Sequence, residues 1–401
     1  MFEIINPRTQ GWIEPTAEYN ELYKKYLGED FESLSSRLKN CVYLFLDGLY
    51  DEEEKALHHY YRAHDQYTSE IDSGNFLMAI NYLTMYDIDT NPENLKRAEN
   101  CFKWAYENCT EIHPMFTWQG GVQDGFKNNE LYVKYTGDAF WVANALYKRT
   151  GNEEYLFYIK QFHNFFKQAR KNNFAYKFDK DSYQWTKTGF VWQSFGFPVT
   201  CYLELYEITK EKKYMEEAFT WLDEGLTYQK VDGGFYLIDG EFWNSDLTAP
   251  ELRALVYGYT LTKDEKYLTA AKSFGDWLEK HQNSDGSWPI GIDLDGEVCA
   301  PNVGPGDMPN IAISLLLLHE ATKEEKYLNT ALKAFGYSLD LQAVEGAKYP
   351  NFLDDPKVKY GFWSWDPLLD NSLSGDQSVH HVRGIIYAMS YLTTLKENND
   401  I

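Results

Sequence analysis

TGNEEYL at residues 150–156, TKEKKYM at 209–215, TKDEKYL at 262–268 and TKEEKYL at 322–328 are four copies of one phrase. Thr opens each copy, and a tyrosine holds the same offset from it, at Tyr155, Tyr214, Tyr267 and Tyr327. These tyrosines are 59, 53 and 60 residues apart, a spacing that accommodates one helical hairpin per repeat. A weaker fifth copy, TNPENL, starts at Thr90 with Leu95 in the tyrosine position. An aromatic follows each key position, at Phe102, Phe162, Trp221, Phe274 and, slipped by one residue, Phe335.

Each copy reads as a helix–turn–helix junction. An apolar stretch precedes it: Phe76–Tyr86, Phe140–Tyr147, Val199–Ile208, Leu252–Leu261 and Ile311–His319. An amphipathic helix follows it, with apolar residues at helical spacing. The Thr with acidic residues behind it reads as the N-cap of that second helix. Phe31–Leu49 adds a first outer helix and Ser378–Leu395 a last apolar one. The order is then outer, inner, six times over. The links from inner to outer are short. The return links are long, partly β-hairpin, and rich in Gly, Trp and Asp, as in DGGFYLIDGEFW (232–243) and DGSWPIGIDLDGEV (285–298). An open solenoid can be built from such hairpins, but six equal pairs with all long loops on one rim favour a closed ring. The expectation is an all-α (α/α)6 toroid forming a single domain over 1–401, with residues 1–30 as an N-terminal strap.

Composition narrows the function. The 401 residues carry 38 Lys+Arg against 61 Asp+Glu, a net charge of −23. That charge disfavours nucleic acid and membrane surfaces as partners. Aromatic residues make up 17% of the chain, which excludes disorder and suits either a dense core or a cleft that stacks on sugar rings. The segment MFEIINPRTQGW shows no basic stretch followed by an apolar one, and the longest apolar run, Ile311–Leu318, is too short to span a bilayer. Five scattered cysteines (Cys41, Cys101, Cys109, Cys201 and Cys299) form no CxxC and have no nearby His. These features predict a reduced, soluble, cytoplasmic protein. The sequence has no phosphate-binding glycine loop, no dinucleotide fingerprint and no metal-ligand spacing, so neither a cofactor nor a metal is expected.

The hairpin pattern resembles the six-hairpin glycosidase superfamily over nearly the whole chain. The link YTGDAFWVANALYKRTGNEEYL (135–156) is similar to the hairpin phrasing of unsaturated glucuronyl and rhamnogalacturonyl hydrolases. The HDxGF phrase of the glucuronyl hydrolases is not present; His64-Asp65-Gln66-Tyr67 and Gln123-Asp124-Gly125-Phe126 each depart from it. The resemblance implies a carbohydrate-active enzyme, in the first place a glycoside hydrolase acting on an oligosaccharide, uronic-acid-containing ones included, by carboxylate acid/base catalysis. One alternative is a sugar epimerase, isomerase or polysaccharide lyase on the same ring, using His and Tyr. The His pair of the final helix resembles the N-acylglucosamine 2-epimerase family, but matching histidines are missing from the starts of inner helices three to five. Another alternative is a carbohydrate-binding ring without turnover.

In such a ring the site lies where the inner helices begin, because their N-terminal turns carry unpaired N–H groups and partial positive charge. Asp72, Asp307 and Asp376 adjoin Gly or Ser just ahead of inner helices and are the expected catalytic carboxylates. Glycoside hydrolysis requires an acid and an opposing base or nucleophile. The loop tryptophans Trp118, Trp192, Trp243, Trp288 and Trp365 are expected to stack on sugar. Asp124, Gln193, Glu251, Arg253, His380, His381 and Arg383 are expected to bond its hydroxyls, with only one of the two adjacent histidines facing the site. His58-His59 is expected to face solvent and His319 to be structural.

Overall fold

The computed structural model describes residues 16–187, 193–237, 242–245 and 249–401. Thirteen α-helices lie among the described residues. After α1 (Asn20–Leu27), the outer helices are α2 (Phe31–Asn40), α4 (Pro92–Cys109), α6 (Glu154–Lys171), α8 (Lys212–Leu226), α10 (Glu265–His281) and α12 (Glu325–Asp340). The inner ones are α3 (Asn75–Asp89), α5 (Val133–Thr150), α7 (Gln193–Thr209), α9 (Ala249–Thr262), α11 (Met308–Thr322) and α13 (Gly375–Glu397). Each inner helix packs on the next, and α13 packs back on α3, so the ring is closed. This is the (α/α)6 toroid that the repeat predicts. The predicted first outer helix is α2 prolonged by a π-helical stretch, Cys41–Leu46, and a short 3-10 turn to Leu49. Helix α1 packs on α12 and α13, with Tyr23 Oη 2.6 Å from Thr393 Oγ1.

The repeated phrase does hold the hairpins together, but its Thr plays a different part from the one expected. Thr150, Thr209, Thr262 and Thr322 each end an inner helix rather than capping an outer one. Each hydroxyl donates back to the carbonyl four residues earlier, as Thr262 does to Gly258 at 2.7 Å. Each also accepts from the N–H two residues on, as from Asp264 at 3.1 Å. The chain then turns through a left-handed residue, Gly151, Lys210, Lys263 or Lys323, and the outer helix starts. The Thr was misread because one hydroxyl serves both sides of the junction. The tyrosines tie neighbouring outer helices together: Tyr155 donates to Glu99 at 3.0 Å, Tyr267 to Asp223 at 2.7 Å and Tyr327 to Asp276 at 2.6 Å. The aromatics Phe102, Phe162, Trp221, Phe274 and Phe335 are buried in the layer between the rings.

Inner helices are buried nearly all round, which is why they are apolar all round. In α11 every residue from Met308 to His319 is buried, with His319 Nδ1 2.7 Å from Tyr391 Oη in a structural role. Short sheets cover the rim at the N-terminal ends of the inner helices. One has four antiparallel strands in the order Val122–Gln123, Glu130–Tyr132, Lys177–Asp179, Gln184–Thr186. Another pairs Ser372–Ser374 with Tyr60–Arg62, setting Ser374 opposite Tyr60.

The return loops dock on outer helices through glycines with positive φ. At Gly233 and Gly286 (both φ +97°) a Cβ would overlap the carbonyl oxygens of Ser273 and Lys333. An l-residue is disfavoured there twice, by conformation and by space. Gly286→Ala is expected to destabilise the fold by roughly 1–3 kcal/mol, read as a lower midpoint in urea unfolding. An unchanged midpoint would contradict this docking.

Candidate active site

The register between Ser372–Ser374 and Tyr60–Arg62 does more than close a sheet. It carries on so that the Gly375 N–H donates to the His59 carbonyl at 2.8 Å. The His59 N–H reaches Glu70 O at 3.2 Å. His59 is thereby held between the starts of α3 and α13. Its Nδ1 lies 2.6 Å from Asp72 Oδ2, and its Nε2 lies 3.2 Å from Asp376 Oδ1. Burial opposes the imidazolium charge, but Asp376 and Asp72 outweigh it, and the ring's pKa is raised well above its ordinary value. Asp376 is held far below the usual carboxylate range: burial pushes it up, but the charge of His59 prevails. His59 therefore does not face solvent as expected. Asp72 lies 13 residues on, but Asp376 comes from the far end of the chain, so nothing local in the sequence announces the clamp.

Facing this clamp, α5 presents Lys134 and, one turn on, Asp138. Burial works against the Lys134 charge, yet Asp138, Asp307 and Asp376 together raise its pKa. Asp138 is pushed up to about 7, first by burial and then by Asp376 and Asp307, with Lys134 pulling the other way. Asp307 is pushed up to about 6 by burial, against the pull of Lys134 and a hydrogen bond from Asn310 at 3.2 Å. Tyr135, hydrogen-bonded to Asp124, and Tyr176 close the cluster from the four-stranded side. The carboxyls at the starts of α5, α11 and α13 thus all feel the Lys134 charge, and their protonation is mutually coupled.

On the other side, Asn310 ties the start of α11 to α13. Its Nδ2 is 2.7 Å from His380 Nδ1, its Oδ1 accepts from Arg383, and Asp307 Oδ1 lies 3.9 Å from His380 Nε2. Burial, and next the charge of Arg383, hold His380 well below its ordinary pKa, so the ring is neutral. Glu251 is fully buried at the start of α9, where burial, and behind it the charge of Asp307, raise its carboxyl well above the usual carboxylate range. Arg253 stands two residues on.

The structure thus brings together Asp72, Asp124, Glu251, Arg253, Asp307, Asp376, His380 and Arg383. It excludes others. His381 points away from the site: it is fully buried, stacked 4.2 Å from Phe362, with Nδ1 on Ser338, and burial lowers it to about 3. Trp243 and Trp288 are wholly buried. Trp288 donates to Leu278 O at 2.8 Å and Trp243 packs on Trp277 at 4.9 Å, so neither ring can stack on a sugar. Trp118 is sandwiched between Phe116 and Phe178, at 4.7 and 4.3 Å, and has no free face. Trp365 is half-buried in a return loop. Trp192 and the side chain of Gln193 lie outside the described residues. Sequence reasoning missed His59 and Lys134 and passed over Asp138. The signal for the last two was a Lys and an Asp four residues apart at the start of an inner helix whose other charges, Lys148 and Arg149, stand in its last turn.

His59 also makes a stability prediction. Its folded pKa is raised, so its contribution is complete below the unfolded value of about 6.5 and fades as pH climbs through the folded value. His59→Gln is expected to cost roughly 1–3 kcal/mol at pH 6, with a smaller deficit in alkali. Urea unfolding at several pH values measures this. A deficit that grows with pH would be the wrong sign for an imidazolium between two carboxylates.

No protein-family model matches this chain, and no curated protein matches it in sequence. Solved structures do match in shape. Cellobiose 2-epimerase from Spirochaeta thermophila superposes with a TM-score of 0.70 at 14% identity, covering 91% of this chain and 99% of that one. A D-mannose isomerase gives 0.69 at 14% identity over 91% and 98%. An unsaturated glucuronyl hydrolase specific for heparin gives 0.61 at 13% over 92% and 98%. At such identities the likeness is one of fold: the chain is an (α/α)6 toroid like theirs.

Proposed function

We propose that this chain is a carbohydrate-active enzyme, a glycoside hydrolase in which Asp138 is the general acid and Asp307 the general base. One observation carries the reading. Asp138 is a buried carboxyl at the wall of the site, held at about 7 by burial and by the neighbouring carboxylates. A group with that value still carries a proton near neutral pH and can give it to a glycosidic oxygen as the bond breaks. Asp307, at about 6, is largely ionised at the same pH and can accept a proton from the attacking water. Asp376 is too strongly held by His59 to serve as a base; it and Asp72 keep the imidazolium in place as a fixed positive charge. The acid is therefore assigned outside the expected trio of Asp72, Asp307 and Asp376. The fold likeness to a glucuronyl hydrolase supports a sugar substrate.

A second reading has its own support. His380 is a buried, neutral imidazole anchored through Nδ1 by Asn310, and epimerases and isomerases of sugars share the fold. On that reading Asp307, 3.9 Å from His380 Nε2, removes a proton from the carbon beside the sugar carbonyl, the His380 Nε2–H donates to the oxygen that gains charge, and no glycosidic bond breaks.

Asp138→Asn is expected to lower kcat by ~10²-fold or more on a glycoside substrate while leaving KM nearly unchanged. Wild-type activity should fall as pH rises through about 7, where Asp138 loses its proton, and fall again below about 6, where Asp307 gains one. Turnover of disaccharides in 18O-labelled water and in D2O separates the readings. Hydrolysis places 18O on the released anomeric carbon; epimerisation places deuterium on C2 of an uncleaved sugar. Deuterium uptake that Asp138→Asn spares and His380→Ala abolishes would replace the first reading by the second.

A further inference from the structure

Seven arginines lie among the described residues, and five are ion-paired to a carboxylate, Arg37 to Glu29 and Arg149 to Asp87 among them. The two without such a pair, Arg253 and Arg383, are both in the site, close enough to repel one another. Arg383 is 2% exposed, and among the described residues its one hydrogen bond goes to a neutral amide, Asn310 Oδ1. Its Nε and Nη1 have no acceptor among the described residues, and its guanidinium lies over the Trp141 ring, 4.8 Å from the centroid. Arg253 Nε has no acceptor among them either. Beside them, both carboxyl oxygens of the fully buried Glu251 lack a partner among the described residues. A buried guanidinium left without an acceptor is costly. Two of them side by side, in a chain of net charge −23, constitute donors awaiting an acceptor.

We propose that Arg253 and Arg383 form an oxyanion subsite, and that the sugar taken by this ring carries a carboxylate or phosphate group bound between the two guanidiniums. This rests on the reading of the ring as a sugar-processing site. Guanidinium N–H groups in their fixed fork match the oxygens of either group. The subsite sits on the α9 and α13 side, with Asn310 linking Arg383 to Asp307 and His380, so a bound anion would fix the sugar against the reacting groups.

Isothermal titration calorimetry of the full chain with d-glucuronate, d-glucose 6-phosphate and d-glucose tests the subsite without requiring turnover. At least one anion is expected to bind ~10-fold or more tightly than glucose, and more weakly as salt is raised. The stronger anion distinguishes a uronide from a sugar phosphate. Arg253→Gln and Arg383→Gln should each abolish the preference while leaving glucose binding in place. Arg253→Gln, at a half-buried position, decides if the deeper variant does not fold. Equal binding of all three sugars, no binding of either anion, or a preference that survives Arg253→Gln overturns the subsite. Turnover of neutral glycosides with no anion preference would remove the subsite and leave the hydrolase reading. An anion preference with no turnover of any sugar would do the reverse.

Discussion

Closure of the ring is the constraint on which everything else depends. Once α13 packs on α3, the six inner helices have neighbours on every side, and charge gathers chiefly at their ends, as in the buried Arg149–Asp87 pair at one end and the site at the other. At the starting turns, ionisable side chains from several helices crowd together. They lose water there and must be neutralised by one another. Lys134 among Asp138, Asp307 and Asp376, and His59 between Asp72 and Asp376, are the result. The perturbed proton affinities that acid/base chemistry needs follow from this crowding.

The ring was legible in the sequence because it is written in local periodicities. Four tyrosine phrases and the apolar runs ahead of them are hairpins whatever else the chain does. The site was legible in part, because Asp307, Glu251, Arg253, Asp376, His380 and Arg383 lie at helix starts that the same periodicity locates. Partners were harder to read. His59 reaches Asp376 only through a strand pairing between the first and last repeats. The tryptophans misled for a physical reason. Trp243 and Trp288 stand in loops, but a return loop over a closed ring must itself be packed down, and a large apolar ring does that best. The Thr of the repeat was misplaced by a single junction, since its hydroxyl bonds into the helix behind it and the turn ahead.

The site has two unlike halves. Around α3, α5 and α13, carboxylates are matched by Lys134 and His59 and their protons are finely balanced. Around α9 and the Arg383 turn of α13, guanidiniums have no carboxylate partner among the described residues. Asn310 joins the halves, touching Asp307, His380 and Arg383. A substrate gripped by charge on one side and exposed to proton transfer on the other would be oriented before reaction begins, which is how binding energy becomes rate. The same arrangement serves bond cleavage by Asp138 and Asp307 or proton removal by Asp307 with His380 as hydrogen-bond donor, so the protonation of Asp138 is the deciding quantity.

That quantity can be measured directly. Carbon-13 NMR of aspartate side-chain carboxyls, recorded from pH 3 to 9 on the wild type and on Asp138→Asn, identifies the Asp138 resonance by its loss. The account predicts that this carboxyl titrates with a midpoint at about 7. A midpoint near the ordinary aspartate value of about 4 would contradict it, because Asp138 would then hold no proton to give.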